Sequence, residues 1–255
     1  MQIENIKNFF FNLSGKKKYL VKTHKNHCKL FFFKKNNIYR KISRQKKGIK
    51  KIISEYWGLK WYCSLLKKKE SKIIKKFNSN KSETYIETFN IDGYKIKSWN
   101  SLSKNYSSIK KVFYHYIRYF PHCKKHSIHG DLTFDNIIFK NKNLFIIDWE
   151  FFKSKKNYRG YDLAYFILSC LCLPYISKKK FSIEDEKIFL KLWKKLKTIN
   201  INKKILYDPF NFYEKNIKNN KILKDSYKIS KSKFFPFITN NLYKKRIIKL
   251  INEKI

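Results

Sequence analysis

His129-Gly130-Asp131-Leu132-Thr133-Phe134-Asp135-Asn136, closed by Ile146-Ile147-Asp148-Trp149-Glu150, is the stretch that decides how this chain reads. It joins a carboxylate in a tight loop, a carboxamide five residues on, and a second acidic cluster after a short apolar strand. Ile137-Ile138-Phe139 and Leu144-Phe145-Ile146-Ile147 read as two short strands around the turn Lys140 to Asn143. So short a hairpin returns the chain to its start and brings Asp148 back beside Asn136. Three oxygen donors then converge. Carboxylate plus carboxamide, completed by substrate phosphates, suits Mg²⁺, which is held by few protein ligands. Asp131 stays free to take the proton of a hydroxyl nucleophile. These residues point to phosphoryl transfer from a magnesium nucleotide.

On the N-terminal side the pattern is mostly strands. Tyr19 to Ser43 reads as strands, with Leu30-Phe31-Phe32-Phe33 and Ile38-Tyr39-Arg40-Lys41-Ile42 joined by the turn Lys34-Lys35-Asn36-Asn37. A helix is expected from about Ile49 to Leu66, with Ile52, Ile53, Tyr56, Trp57 and Leu59 near helical spacing. Ser71 to Phe89 reads as further strands, and Asp92-Gly93 as a turn. A boundary near residue 90 divides the chain into lobes 1–89 and 90–255.

Beyond it the pattern is mostly helical. Ser107 to Phe120 carries Ile109, Val112, Phe113, Tyr116 and Ile117 on one side and ends at Pro121. Asp162 to Leu173 reads as a buried apolar helix, too short to span a bilayer. Ser182-Ile183-Glu184-Asp185 resembles a capping box, opening a helix with Phe189, Leu192, Trp193 and Leu196 on its apolar face. Leu242 to Ile255 is expected to be a final helix. Trp57, Trp61 and Trp99 are expected in the core, and the spacing of His122, Cys123, His126 and His129 is read as structure, not a zinc site. His129 braces the loop that follows it.

The loop and hairpin resemble the catalytic core of the aminoglycoside phosphotransferase and choline kinase family, relatives of the protein kinases. His129-Gly130-Asp131 to Asn136 matches H-G-D-x-x-x-x-N, Ile147-Asp148-Trp149-Glu150 matches I-D-[FW]-E, and Tyr161-Asp162-Leu163-Ala164 matches Y-D-L-A. The likeness runs from about residue 19 to about 175. It implies an α+β protein-kinase-like fold in two lobes, a small antiparallel sheet with one helix and then a larger, mainly helical lobe. It implies ATP and Mg²⁺ as cofactors. Asp131 then resembles the base, Asn136 and Asp148 the metal ligands, and Asp162 the support of the catalytic loop. Glu150 resembles a second-metal or water-mediated ligand, or simply caps the strand end. Lys41 resembles the strand lysine that pairs with nucleotide phosphates, and Glu55 the helix glutamate that holds it. The peptide groups of Glu87, Thr88 and Phe89 would hydrogen-bond adenine. No glycine lies between Lys22 and Lys29, so a glycine-rich phosphate loop is absent. That absence leaves a nucleotide-binding module with weak turnover as the alternative. Arg40 and Lys41 compete for the phosphate-facing position, and strand alternation allows only one of them.

Composition sorts the partners. The formal charge of +42 comes almost wholly from Lys, with only five Arg and a single Ala, Ala164. The Lys are spread along the chain rather than gathered in a stripe. This argues for a solvated surface over a dedicated nucleic-acid face. The charge disfavours polycationic acceptors such as aminoglycosides. It favours anionic acceptors or contact with an anionic membrane surface. The gap from Asp148 to Asp162 leaves no room for the long docking segment of a protein kinase. The acceptor is thus expected to be a small molecule with a hydroxyl: choline, ethanolamine, a sugar or a lipopolysaccharide-core sugar. Five cysteines without a CxxC pair, and no signal peptide, lead to the expectation of a reduced, cytoplasmic protein.

Overall fold

Aromatic and β-branched residues alternate along the N-terminal part and build a sheet. The computed structural model describes residues 9–12, 18–23, 28–33, 36–80, 82–97, 100–120, 126–141, 143–156, 159–175, 181–199, 201–218 and 241–254. The chain divides into two compact units, Met1–Asp92 and Gly93–Ile255.

In the first unit six strands form one antiparallel sheet: β1 (Phe9–Asn12), β2 (Lys18–Thr23), β3 (Lys29–Phe33), β4 (Ile38–Ser43), β5 (Ile74–Ser79) and β6 (Thr84–Phe89). Their order is β1-β2-β3-β4-β6-β5, so β6 is flanked on both edges. Strand β1 was not evident in the sequence. Helix α1 (Lys46–Leu65) starts three residues earlier than its apolar spacing suggests. It buries Ile52, Leu59, Tyr62 and Cys63. Trp57, expected in the core, is 54% exposed. Tyr56 beside it fills the role by stacking on Phe77 with ring centroids 3.9 Å apart. Trp99 and the Lys34-Lys35 half of the first turn lie outside the described residues.

The second unit is mainly helical. Helices α2 (Tyr106–Tyr119), α3 (Tyr161–Cys172), α4 (Ile183–Thr198), α5 (Lys203–Tyr207), α6 (Pro209–Lys218) and α7 (Asn241–Lys254) carry it. All twelve residues of α3 are buried, as expected of a helix apolar all round. Two short antiparallel ribbons complete the unit: β7 (His126–Ile128) with β10 (Lys153–Lys156), and β8 (Ile137–Lys140) with β9 (Asn143–Ile146). The β7–β10 ribbon was not read from the sequence. Ser182 caps α4 by accepting the Asp185 N–H at 3.1 Å. The reciprocal half of the expected capping box is absent. The Asp185 carboxylate instead accepts the Ser103 N–H and the Tyr175 hydroxyl, each at 2.8 Å. It ties α4 to the approach of α2, a long-range contact that local spacing cannot reveal. Among the described residues no helix is long and apolar enough to cross a membrane.

Candidate active site

Two ribbons clamp the site from either end. The β7–β10 register pairs Ile128 with Lys153, and the β8–β9 register pairs Ile137 with Ile146. Between these pairs the loop 129–136 runs opposite the segment 147–152. Ile147 N–H donates to the Asn136 carbonyl at 2.9 Å, extending the hairpin by one step. Asp148 follows directly, so the hairpin returns it next to Asn136 as the sequence implied.

The turn at Gly130 needs its glycine. Its φ is +91°, and a Cβ there would lie 2.7 Å from the Phe151 carbonyl oxygen. His129 is fully buried and both ring nitrogens are engaged. Nδ1 accepts the Asp131 N–H at 3.2 Å, and Nε2 donates to the Ile147 carbonyl at 2.9 Å. That pattern assigns the neutral Nε2–H tautomer. Burial agrees, holding the imidazolium back until about pH 4. The ring also sits edge-on to Trp149, 4.6 Å between centroids. His129 is therefore a brace across the two strands of the loop. His122 and Cys123 lie outside the described residues.

Asp162 supports the loop from α3. Its Oδ2 accepts the His129 N–H and its Oδ1 the Gly130 N–H, both at 2.9 Å. Complete burial raises its carboxyl to about 7, against the lowering effect of those two bonds. Asn136 is nearly buried and donates from Nδ2 to the Asp131 carbonyl at 2.8 Å. Its Oδ1 is then the atom left for a cation. Asp148 sits at φ +61°, a left-handed conformation that aspartate tolerates at a cost. Glu150 is 9% exposed, next to the fully buried Trp149.

Asp131 is half-buried. Desolvation raises its carboxyl to about 7. A hydrogen bond from Tyr165 opposes the shift, and the charges of Asp148, Glu150 and Asp135 add to it. Among the described residues no three His, Cys, Asp or Glu side chains form a metal cage on their own. The donor set is one amide and neighbouring carboxylates, which suits a metal completed by phosphate oxygens. Tyr165 escaped the sequence reading because its position within Y-D-L-A-Y looks like plain helix core.

In the first unit Lys41 Nζ lies 2.6 Å from Glu55 Oε2, joining β4 to α1. Arg40 points to the other face of the sheet. Its guanidinium bonds Glu87, its cross-strand partner, and lies 5.2 and 5.0 Å from the Phe33 and Tyr85 ring centroids. Of the two adjacent residues, Lys41 is thus the one paired with the α1 glutamate, and Arg40 the one paired with Glu87. Glu87, Thr88 and Phe89 are the residues whose peptide groups are expected to meet adenine. Those residues lie in β6 between β4 and β5, and Phe89 N–H donates to the Ile73 carbonyl at 2.9 Å. Their peptide groups face ladder partners. Asn90 N–H is likewise committed to the Asn37 carbonyl at 2.8 Å. Ile91 and Asp92 hold the first N–H groups beyond the ladder.

No family model matches the sequence. No curated protein matches it either. Among solved structures the chain is similar to the ternary complex of APH(2″)-IIa with streptomycin and ATP, at 11% identity and a TM-score of 0.36, over 88% of this chain and 93% of that one. It is also similar to the amicoumacin kinase hAmiN bound to AMP-PNP, Ca²⁺ and amicoumacin, at 12% identity and a TM-score of 0.41, over 99% of this chain and 88% of that one.

Proposed function

We propose that this chain is an ATP-dependent phosphotransferase that moves the γ-phosphate to a hydroxyl of a small molecule. One observation carries the reading. A single hairpin and the loop before it bring the Asn136 backbone to that of Ile147, directly before Asp148, with Asn136 bonded to the Asp131 carbonyl and the Asp131 turn held by Asp162. In this reading Asp131 accepts the proton of the acceptor hydroxyl. The acceptor oxygen bonds the γ-phosphorus, the bond to the β-phosphate oxygen breaks, and ADP leaves. Asn136 and Asp148 would hold Mg²⁺, with Glu150 behind them. When bound, the ion would neutralise charge on the transferring phosphates. Lys41, held by Glu55, takes the nucleotide phosphates, and the Ile91 and Asp92 peptide groups take adenine in place of Glu87 to Phe89. Residues up to about 90 then bind nucleotide, and the remainder supplies chemistry and acceptor contacts.

The acceptor is small because only fourteen positions separate Asp148 from Asp162, too few for a polypeptide-docking segment. The charge of +42 favours an anionic acceptor such as an acidic or phosphorylated sugar over a polycation, with choline or ethanolamine as single-charge alternatives. Four buried cysteines that form no disulfide, Cys28, Cys63, Cys170 and Cys172, suit a reducing, cytoplasmic setting.

The test is ADP release from Mg-ATP with choline, ethanolamine, amino sugars and core sugars. Wild type and Asp131→Ala are compared with and without EDTA. Loss of a general base costs on the order of 10²–10⁴ in rate. Comparable rates for both proteins would overturn the mechanism. The glycine-free stretch between Lys22 and Lys29 favours a second reading, a binding module that holds Mg-ATP without turnover. Calorimetric binding of Mg-ATP without transfer to any acceptor would select it.

A further inference from the structure

Tyr165 lies on α3, three residues beyond Asp162, and is fully buried. Its hydroxyl donates to Asp131 Oδ1 at 3.1 Å. Among the described residues it is the one side chain that hydrogen-bonds this carboxylate, and Oδ2 has no such partner. The two oxygens are therefore unlike: one is tied down and the other is presented.

The tyrosine is itself held. Its ring lies parallel to that of Tyr161, 6.4 Å between centroids at 5°, and edge-on to Tyr213 at 5.5 Å and 72°. Tyr213, on α6, is fully buried and donates to the Tyr161 carbonyl at 2.8 Å. Burial keeps the Tyr165 phenol protonated far into the alkaline range, so it remains a donor. The carboxylate torsion of an aspartate is broad and two-fold when nothing holds it. On a loop, such a group would exchange its oxygens freely.

We propose that Tyr165 is a positioning residue that fixes the rotation of the Asp131 carboxylate so that Oδ2 meets the acceptor hydroxyl. Helix α6 serves the site through Tyr213, which holds Tyr165 in place. The proposal rests on the reading of Asp131 as the base. It gives part of the C-terminal third, which carries no recognisable motif, a stated task.

Tyr165→Phe removes the hydroxyl and keeps the ring. The assay is ADP release from Mg-ATP with the acceptor panel above and with water as background acceptor. The expected result is a fall in kcat on the order of 10-fold, since small misplacements of reacting groups cost up to 10²-fold. KM for ATP and for the acceptor should stay within about twofold, because the tyrosine touches neither. A role limited to packing would move the melting temperature and leave kcat alone. An unchanged kcat therefore overturns the proposal. Should Tyr165→Phe fail to fold, Tyr213→Phe is read in its place, with a smaller kcat loss expected and none overturning it. A crystal structure of the variant gives a test without turnover. The Asp131 carboxylate should rotate or split into two conformers, and an unmoved carboxylate overturns the proposal. Asp131→Ala is measured alongside. If it retains wild-type rate, the base assignment fails. If it is inactive while Tyr165→Phe is fully active, only the positioning role fails.

Discussion

Asp162 accepts the Gly130 backbone N–H on Oδ1 at 2.9 Å, across 32 positions of sequence. Its second oxygen takes the neighbouring His129 N–H at the same distance. One fully buried carboxylate thus satisfies both donors of the turn that aims Asp131. Removing it leaves two buried N–H groups without acceptors, each costing about 1–3 kcal/mol. Asp162→Ala should therefore lose about 2–5 kcal/mol in urea unfolding, with the midpoint falling at unchanged slope. Asp162→Asn keeps one acceptor but turns an NH₂ towards the other donor, and should lose roughly half as much. A cost below about 0.5 kcal/mol for the alanine variant, within the range of ordinary surface changes, would show that the loop does not depend on this contact.

Gly130 is the second point of control on that turn. Alanine there would adopt a φ of +91° and place its Cβ 2.7 Å from the Phe151 carbonyl oxygen and 2.9 Å from the Phe151 Cβ. The strained backbone alone costs about 1–3 kcal/mol. The clash adds to it, because the neighbour is backbone and cannot yield. Gly130→Ala should destabilise by at least about 2 kcal/mol and abolish turnover together. Full activity in a folded Gly130→Ala protein would mean that the loop geometry tolerates displacement, and the close approach to Phe151 would have no functional meaning.

The loop, the hairpin and α3 were legible because each is local. Apolar strands around a tight turn force Asp148 back to Asn136, and eleven apolar or small residues around Asp162 can only be a buried helix. What escaped was set by partners distant in sequence. The tyrosine that holds Asp131 looks like core until the loop folds over it. Asp185 reads as a helix cap until Ser103 and Tyr175 arrive. Trp57 reads as core by helical spacing, yet Tyr56 takes the contact with Phe77 and leaves Trp57 54% exposed. No local signal shows that β5 returns alongside β6 and takes its remaining edge, so the ladder around Glu87 to Phe89 was not legible.

The Lys41–Glu55 pair predicts a split between binding and stability. Both side chains are largely buried, at 13% and 9% exposure, so an unpaired charge in either place is costly. Glu55→Gln should weaken Mg-ATP binding by about 10-fold in calorimetry, and Lys41→Met by about 10–100-fold, the range expected when a charge-assisted contact to phosphate is lost. Arg40→Ala is the control, since Arg40 lies on the opposite face with Glu87. It should leave Mg-ATP affinity within about twofold. Weaker binding by Arg40→Ala than by Lys41→Met would reverse the assignment of the two strand residues.

The Asp131 carboxylate should be a stability liability at alkaline pH. It titrates at about 7 in the fold, against the usual 3.8, chiefly because burial disfavours its charge. Between those values the folded chain binds more protons than the unfolded chain. The stability linked to this group is therefore fully present below about pH 4 and is lost as the pH rises through about 7. His129 has the opposite sign. It is held neutral down to about 4 from a usual 6.5, so its contribution is present above 6.5 and is lost as the pH falls towards 4. These trends overlap in the wild type with that of Asp162, also raised to about 7, and a difference between proteins isolates the Asp131 part. Asp131→Asn carries no titrating carboxyl at this position. Measured in EDTA, so that no metal relieves the charge, it should be more stable than wild type by about 1–2 kcal/mol at pH 8, a figure reduced for solvent screening of a half-buried group. The gap should narrow steadily below pH 7 and close near pH 4, while turnover is lost at every pH. A constant difference across that range, or a wild type that is the more stable at pH 8, would mean that Asp131 is not desolvated as its surroundings indicate.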